Sequence, residues 1–450
     1  MYVIGSLTGC GWTHIDDAHI KEFHTAYNMQ NVDILETEHV ALYVDYSTCV
    51  ANAMTDGSVF FNDMVSVLTS EKIADYYSIK GNSITKENGD KYSLLKSVPK
   101  EKINYADIKT AAEIIANGNK EGILLTDGEY FQKSIAKGNV TNPWMEKAIK
   151  KWLSRGHEIY VFAEPYNENH NSRLYEKKRY YFIFTDTRYN GNIYDFAVKS
   201  GALKNNNVSQ YHLTADNIVL LTSGDNNSSI PNENFGCKPT CGNGAFEVQD
   251  WRGLSWKNIF QYIANATDDD GNELPNGEPL IEGLTIDRNS GGSCFRINDM
   301  EIRVSNITEE YMNFCMEIES GKKPNQIAID NPLQVDEAEH LFKLDKKEFK
   351  AHGNLNLYID DKNMFDPSTL YTNGDNLLRI EYIITDYQNN FTHKAEAEEM
   401  FTFPSIDVPG QDNVSLVYSI RNALADANIS GKMKDRVVYT IYVITSKNNL

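Results

Sequence analysis

The chain predicts an α/β fold, a doubly wound parallel sheet, followed by a β-rich, sandwich-like C-terminal half. Three observations carry that expectation. Val40-Ala41-Leu42-Tyr43-Val44 is an unbroken β-branched and aromatic run, as in a strand buried on both faces, and it stops on Asp45-Tyr46-Ser47-Thr48-Cys49. A second buried run, Gly122 to Leu125, ends on Thr126-Asp127-Gly128-Glu129. Helical periods alternate with strand runs from 38 to 205, and short strands bounded by turn signals take over beyond. Ligands of open α/β sheets bind at the carboxyl ends of strands, so both acidic ends point to one candidate site.

The elements follow in order. Residues 1–37 read as a leader or tether. His14, His19 and His24 recur every five residues and share no helical face, so no metal cluster is expected there. After the strand at 40–44, Val59 to Ser70 carries a helical period, and Ala74 to Ile84 reads as strand. Asn104 to Gly118 reads as a helix with Asn104 as cap, Asp107 completing a capping box, and Ile108, Ala111, Ala112 and Ile115 facing inward. Asn142-Pro143 opens another helix, with Trp144, Ala148, Ile149, Trp152 and Leu153 on its apolar face and Gly156 at its end. Ile159 to Ala163 and Tyr180 to Phe184 are the next strands, the latter ending on Thr185-Asp186 at what a parallel sheet would make the same edge.

Asn-rich turns near 205 open a β-rich domain over 206–345, with strands expected at Asn217–Thr222, Ala245–Val248, Leu280–Ile286, Cys294–Val304 and Gln326–Ile329. Asp268-Asp269-Asp270-Gly271-Asn272 within it lacks the sixth-position glycine and late glutamate of a calcium loop and reads as a solvated turn. A sandwich-like domain follows over 346–450, with alternating strands at Asn354–Ile359, Leu377–Thr385, Glu399–Phe403 and Val437–Thr445 and a helix at Ser415–Ala427.

Composition sets the outer limits. At 450 residues, two or three domains are expected. A formal net charge of −20 argues against a nucleic-acid partner, because phosphate binding is driven by Lys and Arg. No run of about 18 apolar residues is present to cross a membrane as a helix. Of six cysteines, Cys237, Cys241, Cys294 and Cys315 fall in one region; their pairing is open, since disulfides suit an exported chain and buried thiols a cytosolic one. Cys237 and Cys241 lack the second close pair of a zinc knuckle.

The chemistry concentrates at the two strand ends. A strand, Asp45-x-Ser47, a helix, and later a helix, a buried strand and Leu125-Thr126-Asp127-Gly128 form an order that resembles a von Willebrand factor A-type domain. The resemblance covers roughly 38–205. It implies a Mg²⁺ ion held by Asp45, Ser47 and Asp127, with Asn104 or Tyr105 at the middle-loop position, and an acidic residue of a partner completing the shell. Cys49 occupies the second serine position, where its soft sulfur is a poor magnesium ligand. The N-terminal Leu7-Thr8-Gly9-Cys10 resembles the lipobox of bacterial lipoproteins, with Cys10 as the acylated residue; nothing basic precedes it.

A second resemblance is to PIN- and NYN-type nucleases, which would gather Asp45, Asp107, Asp127 and Glu129 around one or two metal ions to activate water. The plain readings stand beside both: Asp-Gly after a strand is a common turn, and Asp107 and Asn104 suit a helix start. With ten scattered histidines, no Ser-His-Asp or Cys-His constellation is readable. The expectation is a bacterial envelope or periplasmic protein of adhesion type, lipid-anchored at Cys10, that binds a protein or glycan through a Mg²⁺-dependent site. A metal-dependent hydrolase, a structural assembly subunit with a vestigial site, and a cytoplasmic location are the alternatives.

Overall fold

The computed structural model describes residues 15, 17–29, 40–132, 140–170, 173–186, 189, 191–204, 208–214, 221–223, 236–237, 240–241, 244–248, 259–264, 281–282, 284–286, 295–329, 342–359, 375–389, 395–406 and 408–446. Cys10, Cys294 and the acidic turn at 268–272 lie outside them.

The elements up to residue 214 are α1 (Ile20–Met29), β1 (Val40–Asp45), α2 (Thr48–Asp56), α3 (Val59–Leu68), β2 (Ile73–Lys80), β3 (Ser83–Glu87), α4 (Lys91–Leu95), α5 (Ile108–Asn117), β4 (Gly122–Thr126), α6 (Glu146–Leu153), β5 (Glu158–His170), β6 (Arg173–Thr185), α7 (Ile193–Ser200) and β7 (Ser209–Thr214). Seven strands form one sheet in the order β3-β2-β1-β4-β6-β5-β7. The α/β class is therefore as expected, but the sheet is mixed rather than parallel throughout. β1 pairs in parallel with β2 and β4, whereas β3, β6, β5 and β7 each run antiparallel to the neighbour they join. The reason is covalent. A parallel neighbour needs a crossover of about a dozen residues or more, and β5 turns directly into β6, pairing from Glu158↔Thr185 out to His170↔Arg173. Likewise the strand expected over Ala74–Ile84 is a hairpin, bent at Gly81 where φ is +59°.

Side-chain alternation divides the sheet between two cores. Val40, Leu42 and Val44 of β1 and Ile123 and Leu125 of β4 pack with α2, α3 and α7. Tyr43, Leu124, Tyr180, Phe182 and Phe184 face the other way, onto α5 and α6. A Cβ at Gly122 would fall 2.8 Å from Ile115 Cγ2, so α5 lies flush on β4 there. α5 starts at Ile108 under Asp107, whose Oδ1 accepts from Thr110 N at 3.1 Å; Asn104 is not its cap.

The second core face continues into the C-terminal half. Helix Ser415–Leu424 packs with α6, and Met145 N donates to Ser419 Oγ at 3.1 Å. Tyr180 Oη donates to Met400 O at 2.8 Å. A six-stranded sheet joins Phe295–Asn306, Asn376–Asn389 and Val437–Ser446 with Ile259–Ala264, Gly244–Val248 and Thr240–Cys241, so its strands come from both sides of position 345. It is antiparallel except between Ile259–Ala264 and Val437–Ser446. The strand expected at Gln326–Ile329 is instead a 3-10 turn at Pro324–Gln326, and that at Glu399–Phe403 is the end of a helix, Ala395–Met400, with a short strand at Phe403–Pro404. Within the stretch read as a tether, α1 packs on α8 (Thr308–Glu319), the Phe23 ring meeting Tyr311 and Phe314 edge-on at 5.6 and 5.4 Å.

Candidate functional site

β1 and β4 lie side by side with Val44 opposite Leu125, so their acidic ends emerge together. Asp45 is buried: Oδ1 accepts from Ser47 N at 2.8 Å and Oδ2 from the Thr126 hydroxyl at 2.9 Å. Burial raises its pKa, and those hydrogen bonds oppose the rise. Asp127 is 3% exposed; Oδ1 accepts from Glu129 N at 2.9 Å and Oδ2 from the Cys49 thiol at 3.7 Å. Burial, then the Asp45 and Glu129 charges, hold its carboxyl well above the usual range.

The turn that aims Asp127 needs a glycine. Gly128 adopts φ +77°, and a Cβ there would lie 2.9 Å from Leu416 Cδ1 and 3.1 Å from the Tyr180 ring. On the facing side, Cys49 lies in the first turn of α2, its sulfur 3.4 Å from Ser47 Oγ. Burial, then Asp127, Glu168 and Asp45, push the thiol pKa up. Thr48 ties α2 to the loop before α5: Ile103 N donates to Thr48 Oγ1 at 2.9 Å, and Thr48 N to Ile103 O at 2.9 Å.

These groups open onto a cavity of about 740 Å³ lined by Ser47, Cys49, Asn104, Asp127, Tyr166 and Glu168 among others. Of the four expected magnesium ligands, Ser47, Asn104 and Asp127 line it, and Asp45 stands behind its wall, holding Ser47 and Thr126. Cys49 Sγ and carboxylate oxygens of Asp127 and Glu168 all lie within 4.8 Å of one another, a trio able to hold a metal ion. Of the four residues of the nuclease reading, Asp127 and Glu129 line the cavity together, Asp45 stands behind its wall, and Asp107 is not among the lining residues. Asp107 is engaged by Thr110 N and by the Thr110 hydroxyl at 2.7 Å. Glu129 is paired with fully buried Lys177 at 2.6 Å and accepts from Ile406 N at 3.4 Å. Burial works against the Lys177 ammonium, but Glu129 and Asp127 outweigh it and its pKa rises. Asp186 goes to the opposite end of the sheet because β6 is antiparallel, and its Oδ1 lies 3.4 Å from His157 Nδ1.

The sequence reading missed Tyr166, Glu168 and Lys177. All three lie on the part of the β5–β6 hairpin that runs past the sheet, where the chain is polar and no buried run marks a strand. The signal was there in another form: Tyr166, Glu168 and, opposite, Tyr175 and Lys177 recur with period two on either side of the polar stretch Asn169-His170-Asn171-Ser172.

The chain matches no family model, no curated protein and no solved structure with which it was compared. Among the described residues no helix is long and apolar enough to cross a membrane.

Proposed function

We propose that the protein is a cation-dependent binding module that works in the manner of a von Willebrand A-type domain. A divalent cation is held at the joined ends of β1 and β4, and an acidic group of a protein or glycan partner enters the cavity to complete its shell. One observation carries the reading: Asp127 and the Asp45–Ser47 turn, from segments about eighty positions apart, converge beside an open cavity that Asn104 also lines. Ser47, Asn104 and Asp127 are the hard oxygen donors that Mg²⁺ takes, with water or partner oxygens in its other positions. The net charge of −20 disfavours a polyanionic partner, whereas one bridged carboxylate is within the capacity of a single divalent ion.

The test is thermal unfolding in EDTA and across Mg²⁺ and Mn²⁺ titrations, for wild type and Asp127→Asn. At a hundred times its dissociation constant, a cation bound only to the native state stabilises by about 2.7 kcal/mol. The expected result is such a shift in wild type and its loss in Asp127→Asn. No shift with any divalent cation sinks the proposal.

A further inference from the structure

The chemistry facing the cavity is softer than a magnesium site needs. We infer that Cys49, Asp127 and Glu168 form a three-ligand site for a borderline-soft divalent cation of the zinc class, which leaves a coordination position open to the cavity. The inference rests on the cation-dependent reading above and gives the ion a chemical identity.

Three observations converge on it. First, the geometry fits a tetrahedral ion. Zn–S of about 2.3 Å and Zn–O of about 2.1 Å at a tetrahedral angle set a sulfur–oxygen separation of about 3.6 Å. Cys49 Sγ and Asp127 Oδ2 are 3.7 Å apart, and the Glu168 carboxylate lies within 4.8 Å of both ligand atoms. Second, the donor set selects the ion. A thiolate with carboxylates suits Zn²⁺ and its neighbours, whereas Mg²⁺ demands oxygens near octahedral geometry.

Third, the site has an unused polar group. The Tyr166 hydroxyl is fully buried, has no hydrogen-bond partner among the described residues, and belongs to a side chain that lines the same cavity. Cys49, Asp127 and Glu168 line that cavity with it. An orphaned buried hydroxyl costs about 1–3 kcal/mol. A water or partner oxygen on the cation's open position is an acceptor of the kind it lacks. Lys177, paired with Glu129 beside the cluster, offsets part of the acidic charge. On binding, Cys49 enters as the thiolate and its proton leaves to solvent, so no oxidant or co-reactant is required.

The experiment uses the full chain and two probes, Zn²⁺ by calorimetry and Co²⁺ by absorption. The expected result is one ion per chain, proton release on binding, and thiolate-to-cobalt charge-transfer absorption in the near ultraviolet. Cys49→Ser should abolish that absorption, and Tyr166→Phe should weaken Zn²⁺ binding by about 10- to 100-fold, as loss of a partner around metal ligands does. Circular dichroism of each variant establishes that it is folded. Should Cys49→Ser lose its fold, alkylation of wild-type Cys49 with and without Zn²⁺ replaces it, and protection by Zn²⁺ is expected. Co²⁺ bound without thiolate absorption, or Zn²⁺ affinity unchanged in Cys49→Ser, overturns the inference. Stabilisation by Mg²⁺ and Mn²⁺ without Zn²⁺ binding overturns it and leaves the proposed function standing. If no divalent cation binds, both fall.

Discussion

The two ends of β4 bury carboxylates to the same depth and treat them in opposite ways. Glu121, just before the strand, is 4% exposed, and Asp127, just after it, is 3% exposed. Glu121 accepts from the Thr185 hydroxyl at 2.6 Å, Asp186 N at 2.8 Å and Ile193 N at 2.9 Å, so one side chain clamps β4, β6 and the start of α7. Asp127 has one backbone donor and a distant thiol, with the Asp45 and Glu129 charges set against it. Burial is the leading cause that raises the pKa of both. Burial alone therefore does not mark a functional acid. Satisfaction separates them: the first end is closed by the chain's own donors, and the second is left with acceptor capacity facing a cavity.

The clamp supplies the largest effect. Glu121→Ala leaves a hydroxyl and two backbone N–H groups without their acceptor, each worth about 1–3 kcal/mol when buried. The expected loss is about 4 kcal/mol by urea unfolding, with the cation response of the remaining folded protein unchanged. A loss under about 1 kcal/mol would mean that this end is not a clamp, and the contrast between the two ends would disappear.

The second sheet offers a further satisfied case, with a histidine in place of an acid. His24 of α1 places Nδ1 2.9 Å from the Tyr442 hydroxyl, and the Arg379 guanidinium stacks 3.7 Å over the Tyr27 ring of the same helix. Arg379 is paired with Glu381 at 2.6 Å, and Arg303 with Glu381 at 2.8 Å, so the groups around His24 are one acid, two guanidinia and two phenols. Burial, then the Arg379 charge, lowers the His24 pKa from 6.5 to about 4. The native state thus holds the neutral ring while the unfolded chain takes up a proton near pH 6.5. This stabilisation is complete above pH 6.5 and is lost as the pH falls toward 4. The difference is on the order of 3 kcal/mol. Urea midpoints at pH 7.5 and pH 4.5 should fall further in wild type than in His24→Gln; equal slopes would show that α1 does not hold His24 neutral.

How much of this was legible follows from how each feature is encoded. A strand buried on both faces must be apolar at every position, so β1 and β4 stand out as runs, and whatever ends such a run is conspicuous: hence Asp45, Ser47 and Asp127. Helix interiors were legible through Ala111, Ala112 and Ile115, but the cap was misassigned because Asn104 and Asp107 are both competent and only the path of the loop chooses between them. Strand direction was not encoded locally. Ile159–Ala163 looks the same whether it follows a helix into a parallel sheet or leads straight into a hairpin. The missed extension carries Tyr166, Glu168 and Lys177, so the error in topology and the missing half of the site have one cause.

The smallest effect is the most discriminating, because its sign separates the two kinds of buried acid. Asp127→Asn keeps the side chain's shape and its acceptor for Glu129 N while removing a charge that Asp45 and Glu129 oppose. It also removes one of three nearby carboxylates that support Lys177, although Glu168 and the direct Glu129 partner at 2.6 Å remain. Burial and the neighbouring Asp45 and Glu129 charges outweigh what Lys177 returns, since the carboxyl stays well above its ordinary pKa despite that ammonium. In EDTA the variant should therefore be more stable than wild type, by about 1 kcal/mol, and its stabilisation by divalent cations should be gone. Such a trade of stability for a charged, unsatisfied group is what a binding site requires and a clamp does not. A variant that loses 1 kcal/mol or more in EDTA would place Asp127 with Glu121 as a structural acid, and the open end of the sheet would then be a turn with a cavity beside it.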